Sequence, residues 1–367
     1  MQFRDLHRQY EAIRAEMDEA LLTATRSGAY IMGPLVAELE QQLADYVGVK
    51  HCITCANGTD ALTLALMACG IGPGDAVFVP DFTFFATAEA VAIVGATPIF
   101  VDVDKKTYNI NIDDLEDKYF QVLERDDIMP IAVIAVDLFG LPANYGILKK
   151  FCYEYALELI EDGAQGFGGS IKGKRACCFG DMATTSFFPA KPLGCYGDGG
   201  AVFTNNDKRA DMLRSLRIHG KGKDKYDNVR LGLNSRLDTL QAAVLQVKMR
   251  HFDDELKAVN HVAERYTELL SGKVKTPIVP KGCISSWAQY TIQVENRDEI
   301  QARLKDAGIP SMVYYPRTMS QQTAFEYLNQ PPSPVAERLS KTVLSLPMHP
   351  YLTDEEIATV ASLIINQ

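Results

Sequence analysis

Between residues 34 and 205 the hydrophobic positions switch repeatedly between two periods. Residues 34–46 (PLVAELEQQLADY) place apolar side chains at helical spacing, with Pro34 at the start and Gly48 just past the end. Residues 51–55 read as a strand, and 59–69 as a helix preceded by Asn57-Gly58. The alternation continues through 76–79 (strand), 84–94 (helix), 98–103 (strand) and 112–123 (helix). It then runs through 131–136 (strand), 145–155 (helix) and 157–160 (strand). These strands are short, apolar and β-branched, as expected of strands covered on both faces. The pattern predicts an α/β fold, with a mainly parallel central sheet flanked by helices.

After a further long helix, from about 235 to 251 or beyond, the pattern changes. Residues 275–283 (KTPIVPKGC) form a connector rich in Pro and Gly. A strand (289–294), a helix (298–307), a strand (312–315) and a last helix (354–365) follow. The expectation is a large domain over 1–250, including an N-terminal helical segment, and a smaller C-terminal α+β domain over 251–367.

Composition narrows the function. Of the 367 residues 47% are hydrophobic, enough for a sizeable core. The formal net charge is -10 and no long Lys/Arg run occurs, which argues against nucleic acid or an anionic membrane as the main partner. One anionic small molecule remains compatible, because a few local cations suffice. The first twenty residues are charged throughout, without the apolar core of a signal peptide. No stretch approaches the roughly 18 uncharged apolar residues of a membrane span. A cytoplasmic protein with eight free thiols is expected. Cys52 and Cys55 have redox spacing, but on a strand they face opposite sides, and buried structural cysteines are expected. The pair Cys177-Cys178 has no metal-spaced neighbour.

Ligands of open parallel sheets bind beyond the C-terminal strand ends. Three segments put small or polar residues there. The first is Asn57-Gly58-Thr59-Asp60, where a helix N-terminus offers free N–H groups and Gly58 admits a close approach. It suits a phosphate; an ordinary helix cap reads the same way. The second is Glu161-Asp162-Gly163-Ala164-Gln165, directly after a strand. Asp162 can pair with a protonated ring nitrogen, bind a metal, or be a solvated loop acid. The third is TSFFPAKPLG, residues 185–194. Lys191 sits among aromatics, Pro and Gly, where partial burial makes an amine nucleophilic, or where a structural lysine snorkels to solvent. Ser186, five residues earlier, can donate to a phosphate. A phosphate seat, a strand-end acid and a shielded lysine together suit pyridoxal 5'-phosphate (PLP) better than any other common cofactor.

Other signals are weak. The glycines at 163, 166, 168 and 169 match a dinucleotide loop only loosely, and a basic stretch rather than a clear helix follows. Asp102-Val-Asp104 lacks the glycine and final Glu of a calcium loop. His219 and His349 have no histidine partner at ligand spacing and read as structural or surface residues.

At these segments the sequence resembles the DegT/DnrJ/EryC1/StrS family of sugar aminotransferases. The resemblance runs from GAYIMGPLVAELE (28–40) through ANGTDALTLAL, DFTFFATAEAV, EDGAQGFGG, TSFFPAKPLGCYGDGGA and LGLNSRLDTLQAA to AGIPSMVYYP and SLPMHPYL. It implies PLP fold type I, the aspartate-aminotransferase-like fold, and a homodimer with active sites at the subunit interface. It further implies that Lys191 holds PLP as a Schiff base and that Asp162 faces the pyridine nitrogen. Gln165 corresponds to the residue near the phenolic oxygen, and Phe84 to the aromatic stacked on the ring. Gly58, Thr59 and Ser186 correspond to phosphate contacts. Asn234 corresponds to a phosphate contact reaching in from the other subunit, and Arg236 should cross with it. Tyr314 and Tyr315 correspond to the segment lining the sugar side.

The lysine is present where dehydratase relatives carry His, so transamination is implied, with pyridoxamine phosphate as the alternate cofactor form and L-glutamate/2-oxoglutarate as donor pair. The resemblance is nearest to enzymes that aminate C3 of UDP-2-acetamido-3-keto-glucuronate for bacterial surface polysaccharide (O-antigen) synthesis. Arg236 would grip a glutamate or uronate carboxylate, or form a structural salt bridge. Arg317-Thr-Met-Ser departs from the more apolar turn of relatives, and Arg317 reads as either a solvated charge or a substrate contact. Competing readings are a 3- or 4-aminotransferase of a dTDP- or GDP-keto-sugar, a PLP lyase or dehydratase, and a non-catalytic regulator on the same fold.

Overall fold

The computed structural model describes residues 1–224 and 226–365. Helices α1 (Leu6–Ser27) and α2 (Pro34–Val47) open the chain. The first half then alternates β1 (His51–Cys55), α3 (Gly58–Ala68), β2 (Asp75–Pro80), α4 (Phe85–Ile93), β3 (Thr97–Val101) and α5 (Ile112–Leu123). It continues with β4 (Met129–Val136), α6 (Tyr145–Glu154) and β5 (Glu158–Asp162). A short hairpin, β6 (Ser170–Ile171) and β7 (Lys174–Arg175), precedes β8 (Met182–Ser186), β9 (Gly200–Thr204) and α7 (Asp207–Leu216).

Seven strands form the central sheet in the order β1-β9-β8-β5-β4-β2-β3. The run β8-β5-β4-β2-β3 is parallel, and β9 runs against both its neighbours. The mainly parallel sheet expected from the pattern is therefore present. Alternate strand residues supply opposite faces. Ile53, Val77, Ile134 and Ile160 pack with α3, α4 and α7. Cys52, Ala183 and Phe203 pack with α1, α2 and α8, and Phe78, Val133 and Leu159 with α5 and α6. Cys55 lies with the first group, so Cys52 and Cys55 point to opposite faces and both are free thiols.

Helix α8 (Thr239–Leu270) is 32 residues long. It begins four residues later than expected and runs on well past 251. Ser235 is outside it because its Oγ accepts from Ala56 N–H at 3.0 Å and its N–H donates to Arg217 O at 2.9 Å. The helix passes residue 250 without a break. Its residues up to Phe252 pack on the central sheet, and those from Leu256 onward pack on a second core. That core is built on β11 (Tyr290–Gln293), α9 (Arg297–Asp306), β12 (Val343–Leu346) and α11 (Asp354–Ile365), after a two-residue strand β10 (Cys283–Ile284) and with α10 (Pro334–Thr342) before β12.

The expected strand at 312–315 is absent. Only Met312 makes a bridge, to Ser345. The next three residues leave the sheet and pack beside Phe82 and Phe139 at the edge of the central sheet. Side-chain partners there outcompete a third strand beside the antiparallel pair β11–β12. Asp81, just after β2, fixes the segment that follows. Its carboxylate accepts from Ser320 N–H (2.7 Å), Ser320 Oγ–H (2.9 Å) and Ser333 N–H (2.9 Å).

Candidate active site

The C-terminal ends of β2, β4, β5 and β8 surround a cavity of about 480 Å³. Nine of the residues singled out from sequence line it: Gly58, Thr59, Phe84, Asp162, Gln165, Ser186, Lys191, Tyr314 and Tyr315. They come from five separate stretches of chain, and the sheet topology brings them together.

Asp162 is the last residue of β5 and is 4% exposed. Its Oδ2 accepts from Thr87 Oγ–H at 2.9 Å and its Oδ1 from Ala164 N–H at 3.2 Å. Burial pushes its pKa above the ordinary carboxylate value, while those two donors and the Lys191 amine oppose the shift. A further cation set against Asp162 would favour the ionised form.

Lys191 lies in the loop after β8. Its amine opens on the cavity, and protein surrounds it on the other sides. Burial lowers its pKa, Asp162 opposes that change, and Arg4 adds to it. The amine is thus held closer to its neutral, nucleophilic form.

At the start of α3 the Asn57 side chain accepts from Asp60 N–H at 2.8 Å. The preceding amides, of Gly58 and Thr59, belong to the helix turn that has no acceptor within the helix. Gly58 is required by close approach: a Cβ there would stand 2.7 Å from Ser186 Cβ. β8 and α3 therefore meet tightly enough to put the Ser186 hydroxyl beside the helix N-terminus.

Gln165 joins two walls of the cavity. Its Oε1 accepts from Phe139 N–H at 2.6 Å, and its Nε2 donates to Tyr315 Oη at 2.9 Å. Phe84 caps α4 and is 54% exposed, so one ring face is open to the cavity, with the Tyr315 ring 6.1 Å away.

Two expected residues lie elsewhere. Asn234 is exposed, and neither it nor Arg236 lines this cavity. Arg236 lines a second, more open hollow of about 890 Å³ with His219, Lys221 and Arg230. Arg317 is exposed and also outside the cavity. Asn57 and Phe188, which fall in segments singled out from sequence, also line the cavity, whereas Thr83, Asp198 and Gln289 escaped the sequence reading. So did Thr87, which holds Asp162. Thr87 follows Phe84 by one helical turn, and that spacing is the signal that could have identified it. Among the described residues no group of three His, Cys, Asp or Glu could hold a metal ion.

These features meet the demands of PLP. A phosphate needs free amides and a hydroxyl, a pyridinium needs a buried acid, an aromatic ring needs an open face, and an aldehyde needs an amine. All four are present around one cavity.

Comparison with known proteins gives the same answer. The model of the DegT/DnrJ/EryC1/StrS aminotransferase family matches residues 11–365. The chain is 44% identical over 367 residues to UDP-2-acetamido-2-deoxy-3-oxo-D-glucuronate aminotransferase of Pseudomonas aeruginosa, covering all of both chains. It is 43% identical to the pleiotropic regulatory protein of Geobacillus stearothermophilus, over 96% of this chain and 94% of that one. Its fold superposes on a DegT DnrJ EryC1 StrS aminotransferase from Brucella abortus with TM-score 0.98, at 49% identity and full coverage of both. NtdA from Bacillus subtilis, solved with bound cofactor PMP, superposes with TM-score 0.87 at 26% identity, over 97% of this chain and 82% of that one. The chain belongs to the DegT/DnrJ/EryC1/StrS aminotransferase family.

Proposed function

We propose that this chain, a PLP-dependent sugar aminotransferase by family, moves the amino group of L-glutamate to C3 of a UDP-linked 2-acetamido-3-keto-glucuronate. The observation that carries the chemistry is the convergence of Lys191, Asp162 and the α3 N-terminus on one cavity. The relative acting on the 3-oxo-glucuronate, matched end to end, supports the substrate.

In this reading Lys191 would take the cofactor and Asp162 would pair with its ring nitrogen. Phe84 would pack on its ring, and Gln165 would serve its phenolic oxygen. Gly58, Thr59 and Ser186 would hold its phosphate. When bound, PLP supplies an electrophilic carbon for amine exchange and an electron-accepting ring. The Lys191 amine, once free, carries the proton off the donor's α-carbon, and the same amine returns a proton to the sugar carbon. One acid–base serving both halves requires ping-pong kinetics. Thr87 keeps the Asp162 carboxylate aimed at the ring. Tyr314 and Tyr315 close the sugar side.

Asn234 and Arg236 act in the partner's site of a homodimer, Asn234 on the phosphate and Arg236 on a substrate carboxylate. Their position outside the cavity, on a segment with exposed Val229 and Leu231, supports that assignment. The product serves bacterial surface-polysaccharide synthesis in the cytoplasm; no helix among the described residues is long and apolar enough to cross a membrane. The border between the large and small domains falls within α8, near residue 250. A regulatory role alone, as the name of one relative suggests, would not need a buried acid aimed at a shielded lysine.

The test is the reverse half-reaction. UDP- and dTDP-linked amino sugars are offered in turn to the PLP form while the cofactor spectrum is followed. The UDP-3-amino-glucuronate should convert the cofactor fastest; preference for a dTDP-linked 6-deoxy amino sugar would overturn the substrate.

A further inference from the structure

One charged side chain touches the lysine loop without any part in the chemistry so far. Arg4 lies ahead of α1, whose N-cap is Asp5. Its Nη2 donates to Lys191 O at 3.0 Å and to Pro192 O at 3.4 Å. The same short segment is tied to the small domain. Met348 N–H donates to Phe3 O at 3.0 Å. The Phe3 ring meets the Tyr314 ring edge-on, centroids 6.1 Å apart, and Tyr314 lines the cavity.

We propose that Arg4 is a positioning residue for the transamination: it fixes the main chain that carries Lys191 and presents the amine to the cavity. The inference rests on Lys191 being the amine that takes the cofactor.

The Lys191 loop is held on its inner side by Lys191 N–H to Phe188 O (2.8 Å) and Cys195 N–H to Phe187 O (2.8 Å). The carbonyls of 191 and 192 point the other way, and Arg4 supplies the donors they would otherwise take from water. A guanidinium spends no charge on carbonyl acceptors, so its field persists. The nearby acid, Glu255, which accepts from Gln9 Nε2 (2.8 Å) and Tyr351 Oη–H (2.6 Å), opposes part of that field. On the far side of the loop the Lys248 amine is a second buried cation, 4.6 Å from the Tyr196 ring centre, with its pKa lowered to about 8 by burial. The cavity side of Lys191 carries Asp162, Asp198, Tyr314 and Tyr315. Asp162 favours the ammonium and Arg4 the free amine, so the two oppose each other across the same nitrogen.

The test uses the full-length protein, stripped of cofactor with an amine donor and then offered PLP across a pH series. Uptake is trapped with borohydride, and the labelled lysine and its rate are read by mass spectrometry. Wild type should be labelled at Lys191. Arg4→Gln should raise the pH midpoint of labelling, and so slow labelling below both midpoints. Asp162→Asn should move the midpoint the other way. Arg4→Lys keeps the charge but reaches one carbonyl, so the midpoint should hold while uptake slows severalfold. A melting curve accompanies each variant. Arg4→Gln with the wild-type midpoint and rate would overturn the proposal. So would a lowered melting temperature with the midpoint unmoved, which marks a merely structural contact. If Arg4→Gln does not fold, an Arg4→Lys uptake rate equal to wild type overturns it. Wild-type label on another lysine would overturn the site reading and this inference together; failure in the variants alone overturns only this inference.

Discussion

Two regions hold the residues to which the family resemblance points, and they are built in opposite ways. In the cavity at the sheet edge the polar side chains are held by partners from the same chain. Asp162 has two donors, Gln165 bridges two walls, and the α3 N-terminus stands against Ser186. The hollow between residues 218 and 236 is open and basic, lined by His219, Lys221, Arg230 and Arg236, and bordered by Leu231 at 90% exposure. Among the described residues no carboxylate lines it. An exposed leucine beside unopposed cations is surface prepared for something else. In the proposed dimer, the first region performs chemistry and the second serves the neighbour's substrate.

The sharpest break in that contrast comes from Lys191→Ala. Turnover should fall by about 10³-fold or more, because the acid–base of both half-reactions is removed. The protein should also lose the visible absorbance of bound cofactor and the borohydride label at position 191. Retained activity would take the chemistry out of the first region.

A smaller effect is expected from Arg236→Ala, about 10-fold to 100-fold in kcat/KM on a uronate substrate, as for loss of a charge-assisted carboxylate contact. A neutral 6-deoxy analogue should lose less. Mixing Lys191→Ala with Arg236→Ala subunits should restore part of the activity, since some hybrid sites then carry both residues. No recovery would place Arg236 in its own chain's site and erase the division between regions.

The last effect concerns stability and not turnover, at a group apart from both. His349 is buried at 1% exposure with neither ring nitrogen hydrogen-bonded, and burial lowers its pKa from 6.5 to about 4. The unfolded chain therefore binds its proton more readily. Stability is fully present above pH 6.5 and is lost as pH falls toward 4, by up to about 3 kcal/mol. Denaturant midpoints for His349→Phe should show a flatter profile across that window, and an equally steep one would point to other groups.

The chain alone determined the alternation of β1 through β5 with its helices, because apolar periodicity and end signals are local. It also marked Lys191 and Asp162, since a lysine among aromatics and an acid at a strand end are visible in a few residues. Tertiary structure decided the rest. The 312–315 segment carries a strand's alternation, yet Tyr315 is drawn to Gln165, 150 positions away. Arg4 reaches the carbonyl of Lys191 across 187 positions, and Thr87 steadies Asp162 across 75. Ser235 leaves the expected helix for Ala56, 179 positions away. Each of these contacts joins residues whose local surroundings hold no trace of the partner. Only the order in which the strands assemble brings them within hydrogen-bond distance.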